Sequence, residues 1–515
     1  MDRRQFLKTA ALGAAGLSLG TARRAIAKDT PTRPNVVLIM VDDMGFADLG
    51  CYGGEINTPT LDKLAAEGMR FTQFYNTAKC GPTRASLLSG CYHREVGEKR
   101  LANCITLAEA MRTAGYTTLM TGKWHLGANP IARGFDHYFG HLSGATNFFK
   151  GDKTFRLDDK PFNVPDKGFY TTDANTDYAM RFLTEAVTKG GPSTGSGHAK
   201  PFFLYIAYNA PHYPLQAWPE DIAKYRGKFM AGWDELRKQR HRRQLKMGLL
   251  KPQWKLAPRA AEVKPWAELS EDEKKIEDLT MAVYAAMIDR VDQNIARLLG
   301  KLKQLGVADN TLLLFLSDNG GCPFQRTRTR NIPPGPANSY WTCHKGWAQV
   351  SNTPFRLYKQ NQHEGGIATP LIAHWPGVIA GGTITDQAGH LVDIMATLLD
   401  ITRTKYPETF NGHKLRPMRG KSLLPVFQGK QRRGHDDIFF EFSRYKALRA
   451  GKWKISWQYG PWELYDMEAD RTELHNLAAR MPEKVAELAK RHEAWLKELG
   501  GSARPPRGRR KSRKK

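Results

Sequence analysis

Residues 35–43 read NVVLIMVDD. Six consecutive apolar residues, three of them valine and one isoleucine, stop at two adjacent aspartates. A run this short and this rich in β-branched residues predicts a strand covered on both faces, as in parallel sheets. The aspartates then stand at its carboxyl end, where open α/β sheets bind their ligands. Three other runs repeat the pattern. GYTTLMT (115–121) gives way to Gly122, Lys123, Trp124 and His125, and FFLYIAY (202–208) to Asn209, Ala210, Pro211 and His212. TLLLFLS (311–317) gives way to Asp318, Asn319, Gly320 and Gly321. One Asp or His after a strand is an ordinary turn or cap residue. Four runs that end in carboxylates, a Lys-x-His and a His predict one shared site.

Helical patterns lie between these runs. TPTLDKLAAEG follows the first and TLAEAMRTAG precedes the second. The clearest helix starts at Ser270, where Ser270 and Glu273 have the spacing of a capping box. Its apolar stripe runs through Ile276, Leu279, Val283, Met287, Val291, Ile295 and Leu298. Alternating strands and helices predict an α/β fold, with a large, mostly parallel or mixed sheet sandwiched by helices. HLVDIMATLLDIT (390–402) reads as a helix closing this large domain. Beyond residue 405 the pattern changes. DIFFEFSRYKALRAGKWKISW (437–457) reads as short antiparallel strands and PEKVAELAKRHEAWLKEL (482–499) as a terminal helix. These form a smaller C-terminal α+β subdomain over 406–500. Residues Cys322–Gln349, rich in Pro, Gly, Arg and aromatics, follow the Asp318 turn and are expected to overhang the site.

The chain of 515 residues carries a net charge of +27, unevenly placed. Residues 1–27 hold Arg3–Arg4, a short apolar stretch and an Ala-Ile-Ala end, the form of a twin-arginine export signal. That predicts a bacterial protein handled by the Tat translocase and located in the periplasm or outside the cell. No membrane span is expected in the mature chain. The tail 501–515 is basic and reads as disordered; Arg504–Lys515 has eight Lys/Arg and no acid. Lys224–Arg259 has twelve Lys/Arg against two acidic residues. Such stretches attract polyanions, with nucleic acid or sulfated polysaccharide as candidates. The Gly/Ser-rich Lys189–Lys200 reads as a flexible surface loop. The six cysteines contain no C-x-x-C pair, which argues against a structural zinc site, and their spacing assigns no disulfide.

KCGPTRASLLSG (79–90) sets a lone cysteine at a predicted helix start. Pro82 suits the first turn and Gly90 the end. Backbone N–H groups there favour an anion and lower a thiol's pKa. Arg84, one turn on, is placed to fork onto that anion.

At this point Cys-x-Pro-x-Arg resembles the signature of type I sulfatases, of the alkaline-phosphatase superfamily. VDDMGFADLGCYGG, TGKWHLG, NAPHYPLQAW, SDNGG, NTPFRLYKQNQHEGGIATPLIAHWPG and LYDMEADRTELHNLA are similar to arylsulfatase segments, in the family's order. The resemblance spans roughly 34–499 and makes 28–405 the catalytic domain. It implies that Cys80 is converted to Cα-formylglycine (3-oxoalanine) by a dedicated maturation enzyme, and that its hydrate is the nucleophile. It implies a divalent cation, Ca²⁺ or else Mg²⁺, held by Asp42, Asp43, Asp318 and Asn319; an all-oxygen set suits a hard ion. Arg84 would hold the hydrate, Lys123 and Lys359 the sulfate, and His125 would stand beside the formylglycine. His212 would face the leaving oxygen. Thr83 and Ala368 depart from the family's usual residues. The expected reaction is hydrolysis of a sulfate monoester, on a sulfated small molecule or polysaccharide, with no nucleic acid partner. Two alternatives remain at this stage: a phosphodiesterase or phosphonate monoester hydrolase of the same superfamily, and a non-enzymatic polyanion-binding protein.

Overall fold

Val36–Val41 lie in strand β1 (Asn35–Val41), wholly buried. Its side chains alternate between two cores. Val37, Ile39 and Val41 face one, and Val36, Leu38 and Met40 the other. Each such residue contributes about 1.5–3 kcal/mol on burial, which makes β1 the seam of the molecule.

The computed structural model describes residues 33–189 and 200–499. The predicted leader, most of the Lys189–Lys200 loop and the basic tail lie outside the described residues. The main sheet adds β2 (Met69–Phe71), β3 (Thr117–Gly122), β4 (His137–His141), β5 (Phe155–Leu157) and β6 (Lys160–Pro161). β7 (Phe202–Ala207), β8 (Thr311–Ser317), β9 (Leu371–His374) and β10 (Thr383–Thr385) complete it. The ten strands run in the order β10-β2-β9-β8-β1-β7-β3-β4-β5-β6. The five from β8 to β4 are mutually parallel. Antiparallel pairings appear towards the two edges.

Helices cover both faces, as the sequence predicts. On one face pack α1 (Cys80–Ser89), α2 (Leu107–Thr113) and, late in the chain, α6 (Asp393–Thr402). On the other pack α3 (Thr171–Lys189), α4 (Gly232–Lys246) and α5 (Glu271–Gln304). The capping box of α5 is formed: Ser270 N donates to Glu273 Oε2 at 2.7 Å, and Glu273 N to Ser270 Oγ at 3.2 Å. Val283, Met287, Val291, Ile295 and Leu298 are buried along its predicted stripe.

Seven of the twelve cations of the basic block are exposed, among them Lys238, Arg242 and Lys246, and the other five are partly or wholly buried. Arg240, on α4, is buried and ion-paired to Asp48 at 2.8 Å and Glu55 at 2.7 Å. Arg243 also reaches Glu55, and Arg259 pairs with Asp234. Arg237 is buried and donates to Ala257 O at 2.7 Å. Arg240 and Arg243 fasten α4 to the loop that follows β1.

The C-terminal segment forms an antiparallel meander, β11 (Ile438–Phe442), β12 (Tyr445–Ala450), β13 (Trp453–Trp457) and β14 (Glu463–Asp466). Helix α7 (Pro482–Glu498) packs Leu488 against Leu448, Ile455 and Leu464. The meander joins the large sheet through a buried ionic cluster. Lys454 Nζ lies 2.8 Å from both Glu364 Oε1 and Glu473 Oε1. Arg471 Nε lies 3.1 Å from Glu364 Oε2, and Tyr75 OH donates to the same oxygen at 3.0 Å. No helix among the described residues is long and apolar enough to cross a membrane.

Because Lys454 holds two buried carboxylates, Lys454→Met is expected to leave Glu473 without a cation and Glu364 with Arg471 alone. The cost should be about 3–5 kcal/mol, read as a fall in the urea unfolding midpoint.

Candidate active site

The strand ends converge because the register is level. Val41 lies opposite Ser317, Met40 opposite Ala207, and Ala207 opposite Gly122. Asp42, Asp318 and Lys123 therefore leave the sheet at one height. Backbone bonds lock the exits: Asp318 N to Val41 O at 3.1 Å, Lys123 N to Ala207 O at 2.8 Å and Asp42 N to Ala210 O at 3.0 Å. No helix starts at Asp42–Asp43, the next helical residues being Gly50–Tyr52, so the pair is not a helix cap. Asp43 and His125 sit in the left-handed region, with φ of +70° and +55°. Non-glycine residues held there store strain, a recurrent mark of functional sites.

Helix α1 begins at Cys80 as predicted, after extended Lys79, and ends at Gly90 with φ +65°. All ten of its residues are buried. The Cys80 Sγ and carboxylate oxygens of Asp42 and Asp318 lie within 4.8 Å of one another. Arg84 does not fork onto one group. Its Nη1 donates to Lys123 O at 2.9 Å and its Nη2 to Asp318 Oδ2 at 3.0 Å, with Asp42 Oδ2 at 3.7 Å. The carbonyl and carboxylate occupy the two outer nitrogens, and Nε is left without a partner.

Two lysines bond directly to the aspartates, Lys123 Nζ to Asp42 Oδ2 and Lys359 Nζ to Asp43 Oδ1. Asn319 Nδ2 also donates to Asp43 Oδ1, at 2.7 Å. His212 Nε2 faces Asp43 Oδ2 at 3.5 Å. Its Nδ1 lies 2.6 Å from the Tyr213 carbonyl, which only accepts, so Nδ1 carries the proton. Asp42 Oδ1, Asp43 Oδ2 and Asn319 Oδ1 are buried with no hydrogen-bond partner. Buried oxygens are rarely left so. Carboxylate oxygens of Asp42 and Asp43 lie within 4.8 Å of each other and of a His212 nitrogen, a group that could hold a metal ion.

The electrostatics point the same way. Burial raises Asp42, yet Lys123, His212 and Arg84 outweigh it and hold its carboxyl well below the usual range. Burial and then the Asp42 charge push Asp318 up to about 7. Negative charge is thus in local excess beside Asp318. Burial would discharge Lys359, but Asp43 more than reverses it. Burial holds His212 down at about 4 against the pull of Asp43. His125 is lowered by burial and then by Lys123, which places it within the field of the same cluster.

All ten predicted residues thus lie at the strand ends, at the α1 start or in the segment after α5 that packs on them. Four neighbours went unpredicted. His141 ends β4, is buried with Nε2 unpartnered, and is held at about 3 by burial and Lys123. Its strand, HYFGH, is too short to register as an apolar run. Both side-chain atoms of Asn209 are buried without partners, just past β7. Lys79 and Phe324 meet across the site, Lys79 Nζ being 5.3 Å and Lys359 Nζ 5.7 Å from the Phe324 ring centre. That contact realises the expected overhang of Cys322–Gln349, but no local pattern marks Phe324 as its tip.

A parallel sheet that gathers carboxylates, an amide and cations around a buried helix start defines a hydrolase of alkaline-phosphatase-like fold. The family model described as Sulfatase matches residues 34–404, and that described as N-sulphoglucosamine sulphohydrolase, C-terminal, matches 355–500. The chain belongs to the sulfatase family and is a sulfuric ester hydrolase. It is similar to an uncharacterized sulfatase of Schizosaccharomyces pombe, 33% identical over 90% of this chain and 93% of that protein. It is 32% identical to an arylsulfatase of Klebsiella aerogenes over 78% of this chain and 93% of that one. Among solved structures, Ps i-CgsB in complex with k-i-k-neocarrahexaose shares 26% identity and a TM-score of 0.66, covering 90% of this chain and 93% of that chain.

Arg84→Lys keeps the charge but loses the two-nitrogen fork that ties Lys123 to Asp318. The variant is expected to lower kcat by about 10²-fold or more, measured on an aryl sulfate at saturation.

Proposed function

We propose that the chain hydrolyses sulfate monoesters of carbohydrates, using Cα-formylglycine at position 80 and a hard divalent cation, Ca²⁺ or Mg²⁺. The observation that carries this reading is the trio of unpartnered oxygens, Asp42 Oδ1, Asp43 Oδ2 and Asn319 Oδ1, next to Cys80 and Asp318. When bound, the cation supplies charge neutralisation among the aspartates and Lewis-acid polarisation of sulfate oxygens. The aldehyde at residue 80 supplies, as its hydrate, one hydroxyl to attack sulfur and a second to release sulfate afterwards.

The chain's own residues do the rest. The α1 start and Arg84 hold residue 80 as an anion and aim it along the strand ends. Asp318, the most easily protonated of the three aspartates, takes up the proton of the attacking hydroxyl. Lys123 and Lys359 neutralise the sulfate oxygens as charge builds on them. Lys359, bonded to Asp43, delivers a proton to the leaving oxygen, and His212, with its unprotonated Nε2 towards Asp43, lies on the same side. His125 removes the proton from the second hydroxyl.

A carbohydrate substrate is supported by relatives. An N-acetylgalactosamine-6-sulfatase of Rattus norvegicus is 27% identical over 84% of this chain, and the Ps i-CgsB structure above holds an oligosaccharide. The superfamily alternative has less support. The phosphonate monoester hydrolase of Agrobacterium radiobacter shares 20% identity and a TM-score of 0.57, a likeness of fold alone. The N-terminal pattern Arg3–Arg4 supports Tat export to the periplasm or beyond.

The deciding experiment is mass spectrometry of the tryptic peptide Cys80–Arg84 from protein made in its own host. The expected product is a sulfur-free aldehyde; an intact thiol in active protein would refute the nucleophile. For the cation, Ca²⁺ added back after chelation is expected to raise the melting temperature of the wild type. It should do nothing for Asp42→Asn, since only a site that binds the folded state shifts the midpoint.

A further inference from the structure

Residues 325–330 read QRTRTR, and the segment 322–349 contains no aspartate or glutamate. The alternation has a structural consequence. The Thr327 and Thr329 hydroxyls turn inward and accept from Thr342 N at 3.3 Å and Tyr340 N at 2.7 Å. Arg326 N donates to Thr342 Oγ1 at 3.0 Å, and Arg328 N to Tyr340 O at 2.9 Å. The stretch is therefore a pinned, extended strip with a period of two. With the threonines inside, Arg326, Arg328 and Arg330 fall on the outer edge, and all three are exposed. Successive positions are roughly 7 Å apart at the rise of an extended chain.

The row starts at the active site. Arg326 Nη1 donates to Tyr213 OH at 2.7 Å, and its guanidinium lies 4.4 Å from the Phe324 ring centre. Tyr213 stacks on His212 with ring centres 4.2 Å apart. Arg328 rests over Tyr340 at 4.6 Å. Aromatic stacking holds the first two guanidiniums in place without using their charge. Among the described residues no carboxylate pairs with any of the three. That sets them apart from Arg240, Arg259, Arg290 and Arg432, each matched to an aspartate.

We propose that Arg326, Arg328 and Arg330 extend the active site and bind further anionic groups of a multiply sulfated glycan on the alcohol side of the scissile ester. The inference rests on the sulfatase reading above, which puts His212 on the leaving-oxygen side. The body of the substrate then lies beyond Tyr213, where the row begins. Arginine is suited to the task because its planar fork matches a sulfate edge.

The test uses the full chain, p-nitrophenyl sulfate as the reporter ester and dextran sulfate as the competing polyanion. Dextran sulfate is expected to inhibit the wild type competitively and neutral dextran to have no effect. In R326S/R328S/R330S the ratio of the dextran sulfate Ki to the reporter KM should rise about tenfold or more, and its dependence on salt should flatten. R328S/R330S, which leaves the Phe324 stack intact, should show most of that rise. K238S/K246S, at exposed positions of α4, should leave the ratio at the wild-type value. An unchanged ratio in the arginine variants overturns the inference. So does a single-stranded oligonucleotide that competes as well as dextran sulfate, because the row would then be a general polyanion tether. Anisotropy of fluorescent dextran sulfate reads the same Kd shift without turnover. A dead reporter reaction thus counts against the proposed function, and an unchanged Kd against the row.

Discussion

Charge taken out of water must be answered by charge, and the site is built around that constraint. Asp42, Asp318, Arg84 and Lys123 have no exposed surface, and Asp43 and Lys359 have almost none. Each ion alone would cost several kcal/mol to bury. The arrangement works because anions and cations alternate: Lys123 on Asp42, Lys359 on Asp43, Arg84 between Asp318 and the Lys123 carbonyl. This interleaving requires the strand ends to be level, since a shift of one residue would turn every side chain to the opposite face. It also requires close backbone approach beside the Asp318 turn. A Cβ on Gly320 would lie 1.9 Å from Gly365 O, so the Asp-Asn-Gly-Gly turn and the Glu-Gly-Gly turn meet only as glycines.

A second buried ionic cluster shows what a purely structural version looks like. Glu364, Glu473, Lys454 and Arg471 are equally buried, and each carboxylate has a cation beside it. Arg471 is surrounded by the rings of Phe46, Trp254 and Phe355, at 4.7–5.7 Å from its guanidinium carbon. The cluster's unpartnered atoms are chiefly the two outer nitrogens of Arg471, whereas those at the strand ends are acceptor oxygens of two aspartates and an amide. The two clusters share chemistry and burial, and the kind of atom left unpartnered, with its place at the carboxyl ends of the sheet, separates the candidate site from the structural cluster. Glu364 links them: it follows Lys359 by five residues and ties the C-terminal meander to the segment that carries that lysine.

Sequence reading succeeded where one local signal coincided with one physical requirement. A strand buried on both faces has to be apolar throughout, so β1, β3, β7 and β8 were visible, and their terminal residues with them. A helix that starts at an anion site has to leave its first turn free, so the Cys80 start was visible too. It failed where meaning depends on what a residue faces. The Lys224–Arg259 block does not reveal in sequence which of its cations turn inward. Arg240 answers Asp48 and Glu55, which lie 192 and 185 residues away in sequence. His141 escaped notice because β4 is short and near the sheet's edge, where both-face burial no longer demands a long apolar run. The bond from Arg84 to the Lys123 carbonyl was not visible either, because no side-chain pattern encodes a backbone acceptor.

The same distinction governs how the charge of +27 bears on binding. A net figure counts cations and ignores those already neutralised inside the fold. Arg240, Arg243, Arg259, Arg290 and Arg432, for example, are matched to carboxylates and are not available to a partner in the same way. Arg326, Arg328 and Arg330 survive that subtraction because their segment contains no acid and their stems are held by aromatic rings and inward threonines. Position gives them their significance. Long-range attraction by a diffuse charge decays within about 8 Å at physiological ionic strength. A pinned row that begins beside Tyr213, the residue stacked on His212, acts by direct contact instead, on the part of the substrate already committed to the site. Selectivity for a multiply charged ester therefore belongs to six residues of one strip, not to the basic composition of the chain.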